Sequence, residues 1–125
     1  MNVQSLQSTF KKFVSENAIF LDYIGLFESE LEEITSVSVA GYDSSFDNNY
    51  VNGLRTLVKT NQKMQLKEGS QLGELTGLFG SYKFGSFYCC FIDGFTLLLI
   101  LKPSFSNLAF LQEIVLDIRK KIKIK

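Results

Sequence analysis

The residues best suited to nucleophilic chemistry are two adjacent cysteines, Cys89 and Cys90, in the apolar stretch FYCCFIDGFTLLLILK over residues 87–102. A catalytic thiol normally lies beside a base or a helix N-terminus, which lowers its pKa. The chain has no histidine, and adjacent side chains of a strand point to opposite faces of the sheet. We therefore expect two buried free thiols and no enzyme activity, in a cytoplasmic or other reducing compartment. A reactive thiol protein is the alternative.

Glycines and acidic residues, which could also form a binding site, occur at spacings that match no known site. Gly73, Gly77 and Gly80 match neither a phosphate-binding loop nor a dinucleotide fingerprint, because the Lys-Ser/Thr step is missing and the spacing differs. The acidic residues between Glu28 and Glu33 point in several directions on a helix, which is typical of a solvated face. We expect neither a cofactor nor a metal site.

Charge is divided unevenly along the chain. Residues 1–50 carry two lysines against eight acidic residues, a net charge of −6, and residues 51–125 carry eleven basic residues against five acidic ones, a net charge of +6. The basic excess is concentrated in the C-terminal RKKIKIK and has no interleaved aromatic residues, so we expect no nucleic-acid partner. This tail reads as a solvated helix end with no membrane contact, and a weak interfacial anchor is the alternative.

The same apolar stretch predicts a β-hairpin that turns at Asp93-Gly94. Both faces of its two strands are apolar, so both faces need cover from the rest of the chain. Helical periodicity over residues 3–14, 18–34, 50–66 and 104–122 supplies four candidates for that cover. The stripe within 18–34 consists of Phe20, Ile24, Phe27, Leu31 and Ile34.

Three further segments are predicted as strands, at 35–40, in a short piece around 45–47, and at 74–79. The alternative for the last segment, over residues 71–82, is a helix weakened by its glycines. The element order is then α-α-β-(β)-α-β-β-β-α. It predicts an α+β fold, a three-layer α/β/α sandwich around a mostly antiparallel sheet of four to five strands. Residues 1–16 are expected to form an N-terminal helical extension, and residues 17–125 the domain itself.

The segment FTLLLILKPSFSNLAFLQEIVLDIRKKI, residues 95–122, resembles the Roadblock / dynein light chain family, which has a profilin-like or longin-like fold. Members run a last apolar strand into an Asp-Pro or similar step, then open the final helix with a short Ala-Asn-Leu-Gly segment. Lys102-Pro103 stands at the step and residues 106–109, SNLA, stand at the segment. Lys102 replaces the usual acid, Ala109 replaces the usual glycine, and the second strand of the family is barely visible. The resemblance covers about residues 18–122.

This resemblance implies a dimer in which the middle helix and the strand after it form a symmetric interface. The partner would be a second copy of the chain or a paralogous subunit. The matching positions are Tyr50, Leu54, Leu57, Val58, Asn61, Leu75, Gly77 and Phe79. Family members act as scaffolds or regulators of small Ras-like GTPases, so the implied function is a non-catalytic interaction module of that kind. The alternative is an adaptor subunit of a larger complex without GTPase contact.

Overall fold

The computed structural model describes residues 2–28, 32–42, 52–53, 56, 76–83, 85–92, 94–103 and 107–123. Two helices and five strands have bounds within these ranges. They are α1 (Val3–Glu16), β1 (Leu21–Phe27), β2 (Glu33–Ser38), β3 (Gly77–Tyr82), β4 (Gly85–Ile92), β5 (Phe95–Leu101) and α2 (Leu108–Lys123).

The chain divides into two compact units. One consists of Met1–Tyr42 with Gly77–Lys125 and contains all seven elements, and the other is Asp43–Thr76. In the second unit Asn52, Gly53 and Thr56 are helical, in agreement with the helix predicted over 50–66 at these positions. The remainder of that helix and the short strand predicted around 45–47 lie outside the described residues.

The five strands form one antiparallel sheet in the order β2-β1-β5-β4-β3. The predicted hairpin is confirmed as β4 and β5, and Gly94 in its turn has φ +86°, a conformation that glycine adopts without strain. β5 also pairs with β1, so the first and last strands of the chain lie side by side at the centre. The predicted α+β class with a central antiparallel sheet is confirmed.

Both helices pack on one face of this sheet. In α1 the buried residues are Leu6, Phe10 and Val14, and in α2 they include Leu111 and Ile118. They share one apolar cluster with sheet residues of a single face: Leu21, Ile24, Leu26, Cys90, Ile92, Leu97, Leu99 and Leu101. Asparagine side chains begin both helices, because Asn2 Oδ1 accepts from the Ser5 N–H and Asn107 Oδ1 accepts from the Phe110 N–H. The helices predicted over 3–14 and 104–122 are thus confirmed.

The opposite face of the sheet is also apolar and buried. Its members alternate with those under the helices, and they are Tyr23, Phe27, Phe87, Cys89, Leu98 and Ile100. This burial confirms the expectation that the hairpin is covered on both faces. The helix predicted over 50–66, one of the candidates for this cover, falls almost entirely outside the described residues.

The helix predicted over residues 18–34 is wrong. Residues 21–27 form the central strand β1, and β2 begins at Glu33. Nearly every side chain of β1 is buried, on both faces of the sheet, so the segment has no polar alternation. A short run that is apolar on all sides cannot be assigned to helix or strand from periodicity alone.

Two predicted strands are displaced along the chain. The strand predicted at 35–40 is β2 and starts two residues earlier, at Glu33. The strand predicted at 74–79 is β3 and runs to Tyr82. The division at residue 17 stays a prediction, and the packing of α1 in the main core bears on it: Phe10 is fully buried there.

Candidate functional site

The two thiols are separated by the sheet, as the alternation of a strand requires. Cys90 belongs to the cluster beneath the helices, and Cys89 lies on the opposite face, with both free and buried. Burial raises the pKa of Cys89 to about 12, and the neighbouring Cys90 adds to that rise. Such a thiol stays protonated at neutral pH, so it is a poor nucleophile.

Arg119 of α2 is a cation that acts electrostatically on Cys90 and on Tyr88. Burial raises the pKa of Cys90, and the positive charge of Arg119 opposes part of that rise. Burial is also the main cause that raises the pKa of Tyr88. The charges of Cys90 and Cys89 raise this pKa further, and the charge of Arg119 lowers it. The shifts therefore make both groups harder to ionise, which is unlike the environment of an activated nucleophile.

The described part of the chain contains neither a cluster of metal ligands nor a membrane-spanning helix. No three His, Cys, Asp or Glu side chains there come together as possible metal ligands. None of the helices described is long and apolar enough to cross a membrane.

The sheet has two edges, and they differ in character. β2 opens with exposed Glu33, and the register between β2 and β1 shifts at Leu26/Phe27. Charges and irregular pairing are common means of protecting an edge strand from other chains. β3, with the sequence GLFGSY, contains no charged residue and pairs with β4 in continuous register from Gly77 to Tyr82. Among the strands described, β3 is thus the edge better suited to pairing with another chain.

Two of the residues predicted for a dimer interface lie on β3. Gly77 is half-buried and Phe79 is 41% exposed, and both face the side of the sheet that carries the helices. The structure therefore places these two together at one edge. The other predicted positions lie outside the described residues: Tyr50, Leu54, Leu57, Val58, Asn61 and Leu75.

Tyr82 is the most exposed aromatic residue of β3, at 59%, and it is not among the predicted interface positions. Its ring stacks on Phe87, with centroids 6.0 Å apart and planes inclined by 28°. Gly80 permits this arrangement, because a Cβ there would lie 2.9 Å from Phe87 Cδ1. The alternation of Leu78, Gly80 and Tyr82 along one face of the strand could have indicated Tyr82. The strand was predicted to end at residue 79, so Tyr82 was not included in it.

The fold has well-matched structural neighbours. The chain is similar to MglB from Myxococcus xanthus, with TM-score 0.75 and 10% identity over 98% of both chains. It is also similar to a Roadblock/LC7 domain from Streptomyces avermitilis, with TM-score 0.73 and 9% identity over 94% of this chain and 93% of that one. A third neighbour, an MglB with a tetrameric arrangement, has TM-score 0.64 and 13% identity over 90% and 80% of the two chains. The chain therefore has a Roadblock-like fold, as the sequence resemblance implied.

The likeness is one of structure. No protein-family model matches the sequence, and no curated protein is significantly similar to it.

Proposed function

We propose that this chain is a non-catalytic dimeric interaction module that scaffolds or regulates a small Ras-like GTPase. The observation that carries the proposal is the β3 edge, an uncharged strand with exposed aromatic side chains, on a Roadblock-like fold. The dimer forms through β3, and the partner subunit is a second copy or a paralogue of the chain.

The chemistry of the described residues supports a binding role. The thiol of Cys89 is buried with its pKa raised, and so is that of Cys90, which leaves no activated nucleophile in β4. The chain also lacks histidine, the most common general base. We therefore expect the chain to function by binding other proteins.

The edge itself supports dimerisation. An edge strand presents unpaired backbone N–H and C=O groups, which pair readily with another strand. Phe79 and Tyr82 protrude on opposite faces of β3, so a partner strand would cover apolar surface on both faces. Because β3 carries no charge, two copies meet there without repulsion between like charges.

The GTPase part of the proposal rests on the family resemblance and on the fold shared with MglB. A dimeric adaptor with no GTPase contact is the competing function. The two make the same prediction for oligomeric state, and they differ in whether binding depends on the bound nucleotide.

Two measurements test the proposal in sequence. Light scattering on the full chain should give the mass of a dimer, and Phe79→Lys should give a monomer, since it brings two cations together at the edge. Leu116→Lys is the matched control, because Leu116 is also an exposed apolar residue, at 53%, and belongs to α2 and not to the edge strand. A monomeric native chain, or loss of the dimer only in the Leu116 variant, contradicts the β3 dimer.

The second measurement is a pull-down with small Ras-like GTPases of the source organism, each loaded with GDP or with a non-hydrolysable GTP analogue. We expect one of them to bind in a nucleotide-dependent manner. Binding that is equal for the two nucleotides, or absent for every GTPase, favours the adaptor function over GTPase regulation.

A further inference from the structure

The backbone groups that β3 offers to a partner follow from the hydrogen bonds of β1. The Val39 N–H donates to the Asp22 carbonyl at 2.9 Å, and the Lys102 N–H donates to the Phe20 carbonyl at 2.8 Å. Phe20 and Asp22 bond to different neighbours although they are two residues apart, because the β1–β5 register shifts between Leu21 and Tyr23. From Asp22 onwards, successive residues bond alternately to the strand on either side, as in a regular antiparallel strand. The backbone N–H and C=O groups of Asp22 point towards β2, so those of Tyr23 point towards β5.

This alternation continues through the sheet. Tyr23 is opposite Ile100, so Ile100 bonds to β1 and its neighbour Leu99 bonds to β4. Leu99 is opposite Tyr88, so Tyr88 bonds to β5 and the next residue, Cys89, bonds to β3.

Cys89 in turn is opposite Leu78, which therefore bonds inward to β4. The alternate residues of β3 have their backbone N–H and C=O groups pointing away from the sheet, and these are Gly77, Phe79 and Ser81. The position of the Cys89 carbonyl oxygen agrees with this assignment, because it points towards β3 and lies 3.1 Å from where a Cβ of Gly77 would be.

A second copy in antiparallel orientation must place its own outward residues opposite these. Outward residues share one face of β3, so each pair of opposite residues belongs to the same face in both copies. It follows that α1 and α2 of the two copies lie on the same side of one continuous sheet.

Two symmetric registers satisfy this condition over the length of β3. If Phe79 lies on the two-fold axis, Tyr82 is opposite Thr76 of the other copy and Leu78 is opposite a glycine. If Gly80 lies on the axis, Leu78 is opposite Tyr82 in a pair without mutual hydrogen bonds, where side chains approach most closely. The two Phe79 rings are then diagonal neighbours, within reach of each other.

We propose that two copies of this chain pair antiparallel through β3 with Gly80 of each on the two-fold axis, so that Leu78 of each contacts Tyr82 of the other. The register covers both exposed aromatic side chains of β3, whereas the alternative leaves Tyr82 without an apolar partner. Gly80 adds no side chain at the axis, and the space beside it is filled by the Phe87 ring. The proposal rests on the β3 dimer proposed above.

Disulfide trapping tests the register. On a Cys89→Ala background, the double variant Leu78→Cys with Tyr82→Cys should form a covalent dimer under mild oxidation, because opposite positions without mutual hydrogen bonds have Cβ atoms about 4.5–5.5 Å apart, close to disulfide geometry. The background is needed because Cys89 lies opposite Leu78 in the same subunit and could bond to the new thiol. The two positions are four residues apart in one strand, about 13 Å, so they cannot bond within a chain. Neither single variant should form a covalent dimer under the same conditions. The native chain should not form one either, because Cys89 and Cys90 are buried.

The Phe79→Cys variant examines the other register, in which that position is opposite itself. We expect at least tenfold slower cross-linking for it than for the double variant, and the reverse order overturns the proposal. Light scattering of the native chain separates the possible failures. A native dimer whose double variant fails to cross-link contradicts only the register, whereas a native monomer contradicts both the register and the dimer.

Hydrogen exchange gives a second readout that needs no cysteine. In the native dimer the amide N–H groups of Phe79 and Ser81 should exchange slowly, and in the monomeric Phe79→Lys variant that of Ser81 should exchange at least tenfold faster. The Gly80 N–H bonds within the subunit, so its exchange should change far less. Equal changes at Gly80 and Ser81 contradict the assigned direction of the backbone groups.

Discussion

Lys102 Nζ lies 2.5 Å from Asp22 Oδ1, which joins the end of β5 to the start of β1. The same ammonium group donates to the Ala18 carbonyl at 3.0 Å, in the turn between α1 and β1. Asp22 is located where the β1–β5 register shifts, between Leu21 and Tyr23. Lys102 thus connects the two central strands at the position where the family that the sequence resembles commonly has an acid.

The ion pair should contribute modestly to stability. Its side chains are 40% exposed at Lys102 and 25% at Asp22, so water and salt weaken the attraction. A double-mutant cycle with Lys102→Met and Asp22→Asn should give a coupling free energy of unfolding of about 0.5–1 kcal/mol in urea titrations. The coupling should fall in 1 M salt, and a salt-independent value would contradict a solvent-screened pair.

Alkaline pH should destabilise the folded chain through Cys89. The charged form of the group is the thiolate, and burial raises its pKa to about 12 in the folded state. Below the pKa of the unfolded chain both states keep the proton, so the folded state retains its full stability. As pH rises from there towards 12, only the unfolded chain releases the proton, and stability falls by up to about 1.4 kcal/mol per pH unit for this group.

Urea midpoints of the native chain and of Cys89→Ala between pH 8 and 10.5 measure this effect. The variant should start less stable, because it lacks a buried side chain, and should lose less stability with rising pH. Ser81→Ala, an exposed change on the neighbouring strand, should keep the native slope. A Cys89→Ala slope equal to the native one would show that the thiol is not protected by burial.

Phe10 of α1 should be as important to stability as residues of the sheet. Its side chain is fully buried in the cluster shared by α1, α2 and the sheet. Phe10→Ala should lower the free energy of unfolding by about 3–5 kcal/mol in urea titrations. Lys11→Ala, at the exposed neighbouring position, should change it by less than about 0.5 kcal/mol. A small effect of Phe10→Ala would favour the predicted separate N-terminal extension.

Gly80 should not tolerate a side chain without a change in Phe87. A Cβ at this position would overlap the ring, whose Cδ1 would lie 2.9 Å away. Gly80→Ala should therefore destabilise the chain by about 1–3 kcal/mol in thermal or urea unfolding. Combining it with Phe87→Leu should be less costly than the sum of the two changes, and strict additivity would show that the ring is not the obstacle.

Several elements could be predicted because one side of each faces solvent or a turn residue marks its end. α1 and α2 have apolar stripes at helical spacing and asparagine caps, and the β4–β5 hairpin is marked by Gly94. The candidate site was predictable only in part. Gly77 and Phe79 lie on the edge strand β3, and their role in a dimer stays a prediction. Tyr82 fell beyond the predicted strand, and the remaining positions are outside the described residues.

The sequence by itself determined α1, α2 and the β4–β5 hairpin, because these elements depend on local patterns of residues. It also determined that chemistry based on histidine is absent, because the chain contains no histidine. Only the tertiary structure decided that residues 21–27 form a strand. A segment buried on both faces is apolar throughout, so its sequence has no polar and apolar alternation that would distinguish a strand from a helix. The same holds for the edge position of β3. Which strand lies at the edge depends on pairing between distant segments, β1 with β5, and local sequence does not encode that pairing.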